Sequence, residues 1–190
     1  MSGTAVIETV SEIMVSLLER EMEKPPSGKY SITLKSPLED IEDKDSQGVN
    51  IFLYQILENA DLRNQPWIRE GNNRLRYPPL FLNLHYLIIP YAKTQREVHR
   101  IMTETMRVFH DYSNQDLSAG NKPVNQLKIV LEPLSIEDIF KIWRALNRPY
   151  RLSASYCVQV AQIDSKKDKE VELVKERDIR YHKMSVRNRG

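Results

Sequence analysis

Apolar residues recur at three- and four-residue steps in three stretches of the chain, and at two-residue steps in five others. The first helical stretch carries Val6, Val10, Ile13, Met14, Leu17 and Leu18 on one face, with Ser2 or Thr4 available as its cap. The second runs from about 94 to 112, with Val98, Ile101, Met102, Met106, Phe109 and Tyr112 in a stripe. The third starts at Ser135, a natural N-cap with Glu137 and Asp138 in the first turn, and places Ile136, Ile139, Phe140, Trp143 and Leu146 at helical spacing. Asn147 and Pro149 stop it.

The strand-like stretches are 30–34, 49–57, 80–91, 127–131 and 152–160. In 49–57 (VNIFLYQIL) both alternating faces are apolar, as in a strand buried in the middle of a sheet. In 80–91 Leu80, Leu82, Leu84, Tyr86 and Ile88 alternate with Phe81, Asn83, His85 and Leu87. In the last stretch Leu152, Ala154, Tyr156, Val158 and Val160 share a face opposite Ser153, Ser155, Cys157 and Gln159, and Trp143 is expected to pack across this sheet. Three helices interleaved with about five strands predict a single α/β (α+β) domain over residues 1–164, a mixed β-sheet covered by helices. Its expected core includes Phe52, Tyr54, Leu84, Tyr86, Trp143, Tyr156 and Val158. From Ser165 the chain turns charged, and 165–190 reads as a C-terminal tail or arm in which only VELV has strand propensity.

A length of 190 residues suits one domain and a tail. The apolar fraction of 41% and charged fraction of 28% are ordinary for a globular protein, and no apolar run is long enough to span a bilayer. The first two dozen residues lack a basic leader and are interrupted by Glu8, Glu12 and Glu19, which is not the form of a signal peptide. The expectation is a protein that begins in the cytoplasm. One cysteine allows neither an intrachain disulfide nor a thiolate metal cluster. A net charge of +2 gives nucleic acid little to hold.

Catalytic signals are weak. Cys157 lies in a period-two strand with no glycine punctuation, where a lone cysteine is a small packing residue. His99 and His110, eleven residues apart on one helix, are beyond ligand reach of each other, and no third ligand is evident. His85, set among apolar strand neighbours, reads as a hydrogen-bonded packing residue. Six glycines form neither dinucleotide nor P-loop motif. The acidic stretch at 39–45 lacks EF-hand spacing. No cofactor, metal or small-molecule substrate is expected.

Interaction features remain. Residues 58–79 read as a long polar loop in which Arg63, Arg69, Arg74 and Arg76 stand beside Trp67, Ile68 and Tyr77, the composition of an interface hot spot. The same residues also suit a solvated hairpin tip, and both readings stand at this level. The basic tail is in the same position, as solvated chain or as a binding arm whose EVELV adds a strand to a partner's sheet.

Three segments together carry a family resemblance: GVNIFLYQILENADLRN, RYPPLFLNLHYLIIPYA and LSIEDIFKIWRALNRPYRLSASYCVQV. The matching residues are Asn50, Phe52, Leu53 and Tyr54, then Leu62, Arg63 and Asn64, then Pro78, Pro79, Leu84 and Tyr86. The last group is Trp143, Ala145, Leu146, Pro149, Ser153, Tyr156 and Val158. In this order and spacing, most of residues 1–164 resembles the cap, or tail-terminator, proteins of phage-tail-like contractile injection systems, the class of the Photorhabdus virulence cassettes and the antifeeding prophage. The resemblance implies a homo-hexameric ring on the apical end of the inner tube, ending tube and sheath polymerisation and anchoring the last sheath ring, without enzymatic chemistry. Its partners would be copies of itself, the tube protein and the sheath protein. Two other roles stay open: a baseplate or tube adaptor of the same machine, and a nucleic-acid-binding module using the Arg and aromatic loop.

Overall fold

The computed structural model describes residues 6–23, 30–39, 46–71, 73–116 and 126–170. They fall into two compact units, one of Met1–Gln65 with Pro79–Asp164 and one of Pro66–Pro78 with Ser165–Gly190.

The larger unit has a six-stranded sheet. Its strands are β1 (Ser31–Thr33), β2 (Gly48–Glu58), β5 (Leu80–Tyr91), β6 (Asn114–Asp116), β7 (Gln126–Glu132) and β8 (Ala154–Ile163). The order across the sheet is β1-β2-β5-β8-β7-β6; β1 runs parallel to β2 and every other pair is antiparallel. The sheet is therefore mixed, as the sequence predicts, with β6 as a sixth strand too short to show a period. Three helices, α1 (Val6–Glu21), α2 (Gln95–Asp111) and α3 (Ile136–Ala145), cover it.

The two faces of the sheet are separated by strand alternation. Val49 and Ile51 of β2, Leu84, Tyr86 and Ile88 of β5, and Tyr156 and Val158 of β8 pack with Val10, Met14, Leu17 and Leu18 of α1 and with Ile101, Val108 and Phe109 of α2. The edge-to-face pair Phe109–Tyr156, with centroids 4.9 Å apart, locks α2 to β8. On the opposite face Leu87 and Ile89 pack with Trp143 of α3, joined by the half-buried Phe52, Tyr54, Ile139 and Ile142. The continuous apolar run in β2 is thus explained, since helices lie on both faces of the sheet.

Local chemistry starts and stops the helices. Thr94 and Glu97 form a reciprocal capping box at the start of α2, and Ser135 Oγ accepts the Asp138 amide at the start of α3. Asn147 takes the left-handed conformation, φ 49°, that ends α3 ahead of Pro149. Gly48 is required by close approach: a Cβ there would lie 1.9 Å from the carbonyl oxygen of Ser31, its parallel partner in β1.

The smaller unit is a three-stranded antiparallel sheet of order β3 (Ile68–Glu70), β4 (Arg74–Arg76) and β9 (Asp168–Glu170). Residues 58–79, read from the sequence as loop, therefore hold a hairpin as well as a 3-10 turn at Ala60–Leu62 capped by Asn59. The sequence hides the hairpin because its strands are three residues long and mostly exposed, so no apolar alternation marks them. Pairing with β9, more than ninety residues downstream, is non-local and invisible to any window. The charged segment from Ser165 thus contributes a strand at its beginning, while most of EVELV lies outside the described residues.

Candidate interaction surfaces

In the smaller unit, Gly71 at φ 73° turns the hairpin and brings Ile68 opposite Arg76, Arg69 opposite Leu75 and Glu70 opposite Arg74. Trp67 and Tyr77, flanking the strands, meet edge to face at 5.1 Å between centroids. Lys167 Nζ stands 5.3 Å from the Tyr77 centroid and 6.0 Å from that of Trp67, and the Tyr77 amide donates to the Lys167 carbonyl at 3.0 Å. Arg74 pairs with Asp168 at 2.5 Å and Arg76 with Glu70 at 3.9 Å. This is a small aromatic and cationic surface on an ordered strand frame. The carboxylates beside Arg74 and Arg76 offset the positive charge that a phosphate backbone would need.

Of the six residues singled out, the structure brings Trp67, Arg69, Arg74, Arg76 and Tyr77 together. Arg63 belongs to the larger unit, where it pairs with Glu58 at 2.8 Å. The acidic stretch 39–45, apart from Glu39, lies outside the described residues.

A second surface lies on α3. Its apolar stripe is wider than the sheet beneath it: Trp143 is buried and donates its Nε1–H to Ser153 Oγ at 3.1 Å, whereas Ile136 is 67% exposed and Phe140 48%. The helical spacing that groups these residues cannot say which part of the stripe is covered. Phe140 meets Tyr150 edge to face at 5.2 Å, and the two border a shallow groove of about 540 Å³ with Trp143, Arg144, Arg148 and Pro149.

Under the same sheet face is a polar cluster that no sequence motif marks. Oε2 of Glu132, at the end of β7, accepts from His85 Nδ1–H at 2.7 Å, Ser155 Oγ at 3.1 Å and Tyr54 Oη at 3.3 Å. Ser155 Oγ and Tyr54 Oη are themselves 2.9 Å apart, and the β2–β5 register shifts at Tyr54. Burial by itself pushes the Glu132 carboxyl up, but the hydrogen bonds from His85, Ser155 and Tyr54 outweigh it and hold the group below its ordinary 4.5. Burial, reinforced by the Glu132 charge, pushes the neighbouring Cys157 thiol up to about 11, which favours its protonated form at neutral pH. Among the described residues no three His, Cys, Asp or Glu side chains are placed to hold a metal ion. The cluster is a structural knot tying β2, β5, β7 and β8.

A carboxyl whose folded value lies below its unfolded one contributes stability that is present above the unfolded value and lost as pH falls through the folded one. Glu132→Gln should therefore lower stability at neutral pH, with the gap to the wild-type protein closing as pH falls below about 4.5. Urea denaturation at several pH values checks this; a gap independent of pH would mean that the charge of Glu132 has no part in the knot.

The fold matches solved structures over nearly the whole chain. The sheath/tube terminator of the PVC extracellular contractile injection system, in its extended state, aligns with 96% of this chain and 64% of its own, with a TM-score of 0.65 and 19% identity. The cap of the anti-feeding prophage, a tube terminating cap, aligns with 92% of this chain and 60% of its own, with a TM-score of 0.63 and 20% identity. The fold, three helices on a mixed sheet, is thus that of the tube terminators of contractile injection systems. The sequence belongs to the Pvc16 N-terminal domain family, whose model matches residues 9–177. The chain spans less than two thirds of the length of both terminators. Comparison with curated proteins gives no match.

Proposed function

We propose that this chain is a structural cap of a contractile injection system. A ring of copies, six in the simplest form, sits on the apical end of the inner tube, ends tube and sheath polymerisation and holds the last sheath ring. Membership of the Pvc16 N-terminal domain family, with a terminator fold over 96% of the chain, is the observation that carries this reading. Its partners are other copies of itself, the tube protein and the sheath protein. No chemistry is required of it, in keeping with a protonated Cys157 and a Glu132 whose oxygen is occupied by structural hydrogen bonds. It is assembled in the bacterial cytoplasm and leaves as part of the particle.

The physics is that of a closed ring. A heterologous contact repeated about a rotation axis joins two different surfaces of the same chain, and the ring closes only if the rotation divides a full turn. The ring face left over then meets the tube, and we assign the hairpin of Trp67, Arg69, Arg74, Arg76 and Tyr77 to tube contact. Arg63 remains a candidate at the edge of the larger unit.

Electron microscopy of particles assembled with and without the gene tests the proposal. Loss of the gene should yield tubes of uncontrolled length with detached or missing sheath; particles of normal length and normal apical density would overturn it. Arg69→Ala, Arg74→Ala and Arg76→Ala combined should reduce tube attachment while changing stability by no more than about 1 kcal/mol, because exposed ion pairs contribute little. Attachment at the wild-type level would remove the hairpin from the contact.

A further inference from the structure

The α3 groove and the outer side of α1 have opposite charge and lie on opposite faces of one sheet. Glu8, Glu12 and Glu19 are exposed on α1. At about 100° per residue they fall within about 40° of arc and extend along about 16 Å of the helix. They form a carboxylate stripe. On the far side of the sheet, Phe140 and Tyr150 border a groove flanked by Arg144 and Arg148, with Ile136 exposed one helical turn before Phe140. An aromatic groove with cationic edges fits an acidic helix surface: the rings supply desolvated area, and the guanidinium groups supply the charge partner.

We infer that the α3 groove of one copy receives the acidic stripe of α1 from the next copy, head to tail. This rests on the ring reading above and assigns its protomer contact. A second copy is the occupant the chain itself favours, because both halves of the contact are present on it and on opposite faces. A head-to-tail repeat satisfies each with the other, whereas a partner of different sequence in the groove would leave the acidic stripe unused. The arrangement is heterologous, which is the geometry a ring needs and a two-fold dimer cannot provide.

The test is a charge-reversal cycle on the full chain, read by sedimentation velocity with circular dichroism to confirm folding. Self-association of the wild-type protein should weaken as salt rises. Arg144→Glu alone, and Glu12→Lys with Glu19→Lys, should each weaken it by about tenfold or more. Combining the three substitutions should restore association to within a few-fold of wild type. Phe140→Ser, which leaves every charge in place, should also weaken it. Association unchanged by the reversals overturns the contact, as does a wild-type chain that stays monomeric at every concentration. Tube length in the deletion strain is a separate reading: tubes of uncontrolled length alongside failed reversals reject this contact and leave the capping role, while salt-sensitive, charge-reversible association beside unaltered tubes supports the contact and rejects the cap.

Discussion

Trp143→Ala should lower the stability of the protein by about 3–5 kcal/mol, the usual cost of emptying a large aromatic site in a packed core. Trp143 is 3% exposed and is the one fully covered side chain of α3, wedged on Leu87 and Ile89 with Phe52 and Tyr54 beside it. Its loss removes the main apolar hold of a ten-residue helix, and helices of that length have little stability apart from their packing. Ser153 Oγ would also lose its hydrogen bond from the indole. Trp143→Phe keeps most of the area and gives up the Nε1–H, so it should cost about 1–2 kcal/mol. Urea denaturation measures both. A loss below about 1 kcal/mol for the alanine variant would show that α3 is held by something other than this side chain.

Asn50→Ala should cost about 1–3 kcal/mol, because it removes three hydrogen bonds, each worth about 1 kcal/mol net, from half-buried partners that water can partly satisfy. Asn50 is fully buried in β2 and works as a clip. Its Oδ1 accepts from Thr33 Oγ1 at 2.8 Å and from the Lys35 amide at 3.0 Å, and its Nδ2–H₂ donates to the Lys35 carbonyl at 2.9 Å. These bonds fasten the short strand β1 and the residues after it to the sheet. Asn50→Asp offers a discriminating second variant. At neutral pH it buries a charge facing the Lys35 carbonyl, while on acidification the protonated carboxyl becomes a donor again, so its defect should shrink as pH falls. Thermal melts of both variants test this, and a wild-type melting temperature in Asn50→Ala would remove the clip from the account.

Both residues show how a sequence can mark a position without revealing its work. Trp143 is legible as an apolar residue on a helix, and the residues around it already predict a helix, its cap and its stop. Asn50 stands in a run that is otherwise apolar on both faces, and only the family resemblance draws attention to it. Its partners lie 15 and 17 residues away, within and just after the short strand-like stretch 30–34, and no periodicity announces which strand that stretch will pair with. The Glu132 knot is hidden for the same reason. Tyr54, His85, Glu132 and Ser155 are each ordinary strand residues, and what unites them is the strand order β2-β5-β8-β7.

The sequence by itself determined the helices, the long strands and the mixed α+β class, because these follow from hydrophobic period and from caps and breakers acting within a few residues. It also carried the resemblance to the terminators, through the order and spacing of motifs along the chain. Tertiary structure alone decided the pairing of β9 with the hairpin, the gathering of the Glu132 cluster and the exposure of Ile136 and Phe140 on α3. Each depends on which elements become neighbours. A periodic stripe states that a helix will be covered on that side, but the width of the cover is set by the sheet it lands on.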